Sequence, residues 1–154
     1  MQAQPVFATL IGDKDDWTYQ INISALFKLT HTATPIHQMP DDIMIGWIGH
    51  ELDHILDYEN RCNLGMLAFG IGYLCSDKFV KSAEKIADTY AVNRGLGKYI
   101  LATKRFILDH AELPQRYKEK IARLYLSPDS IVEHVLKLEQ KQLADQKHTI
   151  KQAL

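Results

Sequence analysis

The sequence predicts an α+β domain, a short N-terminal β-hairpin or sheet followed by a mainly helical bundle. Three observations carry that expectation. Thr18 to Ser24 alternates, with Tyr19, Ile21 and Ile23 on one face and Thr18, Gln20, Asn22 and Ser24 on the other, the period of a half-buried strand. From Asp41 to the end the pattern is helical, beginning with apolar residues at three- and four-residue spacing. The length, 154 residues with 46% apolar and 24% charged, suits one folded domain and excludes disorder over the whole chain.

The elements follow in order. Pro5 to Ile11 is a short apolar run with β-branched content, and Gly12-Asp13-Lys14-Asp15-Asp16 supplies turn chemistry for a hairpin into Thr18–Ser24. Ala25 to Pro40 reads as irregular, with Pro35 and Pro40 opposing regular pairing. Pro40-Asp41-Asp42 is a helix start, its carboxylates at the positive end of the dipole. Ile45, Ile48, Leu52, Ile55 and Leu56 recur along that helix, and Ile43, Met44 and Trp47 extend its apolar character around most sides, so it is expected at the domain centre. A second helix is expected over about Leu64 to Leu74. A third runs from a Ser76 cap to Arg94, with Gly95 as its C-terminal glycine. A fourth covers about Lys98 to Glu112 and a fifth Pro114 to about Leu126. Ser127-Pro128 then opens a last helix. Residues 1–136 read as one domain and 137–154 as a polar helical or flexible tail, since Leu138, Leu143, Ile150 and Leu154 keep no strict heptad.

Charge and cysteine content narrow the function classes. A formal charge of −1 and a pI near 6.6 disfavour a nucleic-acid partner held by phosphate contacts. Two cysteines, Cys62 and Cys75, make no disulfide framework; they read as small buried apolar groups in a reduced, cytoplasmic protein. No cationic segment precedes the first apolar run, so no secretion signal is read. The longest uncharged stretch, Cys62 to Ser76, is shorter than a membrane span and holds Asn63, Gly65, Gly70 and Gly72. It reads as a buried core helix, with peripheral membrane contact as the alternative.

The chemistry is concentrated in Gly49-His50-Glu51-Leu52-Asp53-His54, an H-E-x-x-H sequence on the central helix. Residues four apart share a helix face, so the imidazoles of His50 and His54 reach one ion. Glu51 stands one step around, placed to meet a water on that ion as general base rather than to ligate it. A glutamate on a buried helix is costly without a partner, which a metal and its water would provide. A catalytic zinc takes three protein ligands and keeps one position open. Glu84, one turn before Asp88, offers the third, while Asp57 is a rival three residues after His54; spacing alone leaves Glu84 open between ligand and solvent-facing charge. Asp53 is expected on the solvent side or at the cleft rim.

At these residues the chain resembles the gluzincin zinc metallopeptidases, in which H-E-x-x-H is followed by a later helix carrying E-x-x-x-D. The resemblance is strongest to CaaX prenyl peptidases and heat-shock membrane peptidases. It rests on Gly49-His50-Glu51-Leu52 with His54, on Glu84-Lys85-Ile86-Ala87-Asp88, and on Ala91-Val92 and Arg94-Gly95-Leu96, and spans about Asp41 to Leu96. It implies a zincin-like fold and one zinc ion held by His50, His54 and Glu84. It further implies Glu51 as the base and Asp88 hydrogen-bonded to a ligand histidine. It also implies a cleft rimmed by a strand ahead of the motif helix, a role that Thr18–Ser24 would suit, to which a peptide or protein substrate adds as an extra strand. Two departures stand out: those relatives carry transmembrane helices, and Asp53 replaces a glycine common within the motif. In size the chain is closer to soluble minimal gluzincins.

The expected activity is hydrolysis of a peptide bond. A zinc-stabilised interaction or regulatory domain, non-catalytic or self-inhibited, is the competing expectation, and hydrolysis of a non-peptide amide a third. His110, Tyr90, Arg94 and Tyr99 are the downstream candidates for an oxyanion donor, none of them assigned. His31, His37, His134 and His148 read as ordinary surface residues. Trp17, Trp47, Phe69 and Tyr73 read as core packing.

Overall fold

A computed structural model describes residues 1–27, 34–109 and 113–152, with side chains described to 144 except at 142. Strand β1 (Gln2–Pro5) pairs antiparallel with β2 (Tyr19–Asn22), in the register Gln2 to Asn22 and Pro5 to Tyr19. The first strand therefore ends where Pro5 to Ile11 was expected to begin it. Phe7–Ile11 is a 3-10 turn instead, its first bond running from the Thr9 amide to the Val6 carbonyl. Pro5 is the last paired residue, opposite Tyr19, and the Val6 amide still bonds the Thr18 carbonyl at 2.9 Å before the chain turns. A second small sheet joins β3 (Leu26–Phe27) to β4 (Thr34–Pro35), so part of the segment expected to be irregular is paired.

Among the described residues six helices follow: α1 (Asp41–Glu59), α2 (Asn63–Cys75), α3 (Asp77–Ala91), α4 (Gly97–Asp109), α5 (Gln115–Leu124) and α6 (Pro128–Gln152). The architecture is thus α+β, small antiparallel sheets beside a helical bundle. The punctuation agrees with the sequence. Ser76 Oγ accepts the Phe79 amide at 3.3 Å, and Ser127 Oγ accepts the Ser130 amide at 3.1 Å. Between α3 and α4 lies a wide helical turn, Val92–Leu96, in which Gly95 takes φ 84°, the left-handed conformation that favours glycine.

Helix α1 is central, as expected, but it turns a different face inward. Gly46, Gly49, His50, Asp53, His54 and Asp57 are buried, whereas Ile45 and Leu52 are exposed. The reason is close approach. A Cβ on Gly46 would lie 2.2 Å from Thr103 Oγ1 and 2.4 Å from the Tyr99 carbonyl oxygen, so only glycine lets α4 settle against α1. Asp53 is correspondingly not at the rim: it is 1% exposed and accepts a bond from Arg94 at 3.0 Å.

Helix α2 is not a buried core helix. Only Met66 and Phe69 are buried, and Leu64, Leu67, Ile71 and Leu74 face outward. The helix lies at the periphery, packed on one side by α3 and by the core cluster of Trp17, Tyr58, Met66, Phe69 and Ala83, and among the described residues no element covers its outer side. Cys62 and Cys75, at its two ends, are exposed for the same reason and are not the buried apolar groups expected. Among the described residues no helix is long and apolar enough to cross a membrane.

Candidate metal centre

Two helices build the site. On α1 the one-turn spacing of His50 and His54 sets their rings at 4.8 Å, nearly perpendicular. From α3, Glu84 points between them: its Oε2 is 3.0 Å from His50 Nε2 and 3.4 Å from His54 Nε2. All three residues are buried, and the three donor atoms lie within 4.8 Å of one another, an arrangement able to hold a metal ion. Zinc bonds of about 2.0–2.1 Å at tetrahedral angles put neighbouring ligand atoms about 3.3–3.4 Å apart, close to the two distances from Glu84 to the imidazoles. The chemistry of the donors fits as well, two imidazoles and a carboxylate.

The surroundings hold two of the three candidate ligands, His50 and Glu84. Asp88, one turn after Glu84, lies with its Oδ1 3.0 Å from His50 Nδ1. The Tyr73 hydroxyl donates to Glu84 Oε1 at 2.6 Å and leaves Oε2 to face the imidazoles. Burial alone would lower the pKa of His50. The hydrogen bonds to Asp88 and Glu84 outweigh it and raise the value to about 9. Burial would raise that of Glu84, yet the two imidazoles hold its carboxyl well below the usual range. Asp53 is pushed up to about 6 by burial, against the opposing Arg94 guanidinium.

Glu51 is half-buried on the cleft side of α1, and its Oε2 accepts the Ala3 amide of β1 at 2.6 Å. The Val6 amide bonds to the Thr18 carbonyl, and hydrogen-bonded positions alternate along an antiparallel pair. The amide and carbonyl of Ala3 therefore face away from β2, toward α1, where Tyr58 Oη reaches the carbonyl at 3.4 Å. Thus β1, rather than the expected Thr18–Ser24 strand, lines the cleft. A cavity of about 230 Å3 opens beside the centre, walled by β1, Phe7, Phe69, Tyr73 and Leu74 along with His50, Glu51 and His54.

Other expected residues lie elsewhere. Asp57 pairs with Arg61 at 2.7 Å and is not among the converging ligands. Arg94 pairs with Asp53 and sits over the Tyr90 ring, while Tyr99 lies under Lys98. Trp17 and Trp47 pack in the core, as does Phe69, but Tyr73 is more than packing because its hydroxyl binds Glu84. His37 is exposed and His134 half-buried, both away from the cleft; His31 and His110 lie outside the described residues, as does the side chain of His148.

Three contributors have no precedent in the sequence reading: the Ala3 amide, Tyr125, whose ring stands 5.4 Å from that of His50, and Lys104, 3.0 Å from Asp88. Lys104 alone left a signal, since it shares the inward face of its helix with Ile100, Thr103 and Ile107. No protein-family model, curated protein or solved structure matches the chain.

Proposed function

We propose that the protein is a zinc-dependent peptidase of the gluzincin type, with a zincin-like arrangement of its two motif helices. One observation carries this reading: His50, His54 and Glu84 converge from α1 and α3 while the Glu51 carboxylate faces the same cleft. His50, His54 and Glu84 would hold the ion. Zinc so bound supplies Lewis acidity, drawing the pKa of water down toward about 7 and polarising the scissile carbonyl.

The chain's own groups do the rest. Glu51 takes the proton of the attacking water and hands it to the leaving amine, with the Ala3 amide fixing its Oε2 and leaving Oε1 for the transfer. Asp88 fixes the His50 ring through Nδ1, and Tyr73 orients Glu84. The cavity beside the centre would receive an apolar side chain of a peptide or protein substrate.

The test is cleavage of a diverse peptide library read by mass spectrometry, with and without chelator. Wild type should cleave only when loaded. Glu51→Gln should keep stoichiometric zinc and lose about 10²–10⁴-fold in rate. His50→Ala and Glu84→Ala should lose the metal itself. A purified wild type that neither carries zinc nor can be loaded with it ends this reading.

The Ala3–Glu51 bond favours one variation, a self-inhibited form. The outward amide of β1, where an added substrate strand would bond, is already engaged by the proposed base. Ala3→Pro deletes that donor without touching the β1–β2 ladder; higher peptidase activity in this variant would mark the contact as a latch, and lower activity would mark it as an aid to the base. A non-catalytic zinc-stabilised domain would bind the metal and show no cleavage in either form.

A further inference from the structure

Helix α4 carries a lysine where its periodicity calls for an apolar side chain. Lys104 lies on the row Ile100, Thr103, Lys104 and Ile107, and its side chain is 6% exposed. Its Nζ is 3.0 Å from Asp88 Oδ1 and 3.8 Å from the centre of the Tyr125 ring, boxed between a carboxylate and an aromatic face. A buried ion pair is seldom more stabilising than a pair of apolar residues of the same volume, so stability gives little reason for its presence.

The other contacts of Asp88 suggest one. Its Oδ1 meets both His50 Nδ1 and Lys104 Nζ, each at 3.0 Å, and its Oδ2 accepts the Leu126 amide, also at 3.0 Å. The carboxylate is thereby pinned from α4 and from the α5–α6 connection, and it faces the histidine whose opposite nitrogen points at Glu84. Charge balance leads to the same place. A divalent ion with two neutral imidazoles would meet three carboxylates, those of Glu84, Asp88 and Glu51, which leaves one negative charge over. Lys104 supplies the positive charge that cancels it inside a buried centre, where an uncompensated charge is strongly unfavourable.

We propose that Lys104 is a positioning residue of the metal centre. Without touching the ion it holds Asp88 against His50 Nδ1, completes the charge balance, and so sets how tightly the ion is bound. This rests on the reading of His50, His54 and Glu84 as ligands, and extends it to α4, an element outside the motif helices.

The test is the zinc dissociation constant, measured by competition with a chromophoric chelator at one fixed pH, with circular dichroism as the check on the metal-free fold. Lys104→Met should weaken binding by about 10-fold or more, within the range found when outer partners of metal ligands are removed. Lys104→Arg, which keeps the charge, should recover most of that loss, a result that packing alone would not give. In a double-mutant cycle the loss from Lys104→Met should largely vanish when Asp88 is already Asn, because the lysine acts through the carboxylate. Lys104→Gln replaces the methionine variant if the latter does not fold. A folded, neutral variant that binds zinc as wild type does overturns the proposal and leaves the ligand assignment standing. A wild type that binds no zinc overturns both.

Discussion

His50 sets both ring nitrogens against carboxylates, Nδ1 at Asp88 and Nε2 at Glu84, and this has a measurable consequence in the metal-free protein. Its pKa is raised from 6.5 to about 9, so the protonated ring contributes stability that is full below pH 6.5 and is lost as the pH rises through about 9. Glu84 behaves oppositely: its carboxyl is held down, so its contribution is present above 4.5 and is lost on acidification. Metal-free protein should therefore melt at progressively lower temperature between pH 6.5 and 9. Zinc needs the bare Nε2, so loading at pH 7.5 should release close to one proton from His50, read by calorimetry in buffers of different ionisation enthalpy. Tyr73→Phe should weaken zinc binding several-fold and cost about 1 kcal/mol of stability, because Glu84 Oε1 loses its donor. The motif histidines were legible because four residues return a helix to the same face. Tyr73 was not, since nothing in its surroundings on an apolar, glycine-rich helix says which carboxylate its hydroxyl will meet.

At the scale of the element, α1 shows where hydrophobic counting misleads. Its recurrent Ile45 and Leu52 are exposed, while a face of glycine, histidine and aspartate is buried. Gly46 permits the close crossing with α4, the helix whose Lys104 reaches Asp88. Gly46→Ala should destabilise by about 1–3 kcal/mol in denaturant titration, as a methyl group is forced onto Thr103 and Tyr99. Helix α2 gives the converse case. Leu64 and Leu74 are 75% and 87% exposed, so changing either to Gln should alter stability by less than about 0.5 kcal/mol although both stand in the most apolar stretch of the chain. Helix existence, caps and the Gly95 break followed from local chemistry. Which face turns inward depended on what each helix meets.

Over the whole molecule, the centre ties α1 to α3 through residues 30 and 34 positions apart, and β1 closes over them by its Ala3 amide. A ligand that binds only the folded state stabilises it by about 4 kcal/mol at a thousand times its Kd. Saturating zinc should thus raise the melting temperature by on the order of 10 °C in a domain of this size, and chelator should reverse the shift. Glu84→Gln should abolish the rise. Persistence of the rise in that variant would mean that the stabilising metal sits elsewhere.

The sequence by itself determined what repeats within one helical turn: the His50–His54 pair with Glu51 beside it, the Glu84–Asp88 pair, the caps at Ser76 and Ser127 and the break at Gly95. Backbone geometry carries such relations over a few residues without help from the rest of the chain. Only the tertiary structure decided that Glu84 rather than Asp57 meets the histidines, that Asp53 turns inward to Arg94, and that Ala3, Tyr73 and Lys104 gather around the centre. Those contacts depend on how closely helices cross and which faces they bury, and that is settled by packing across the whole fold.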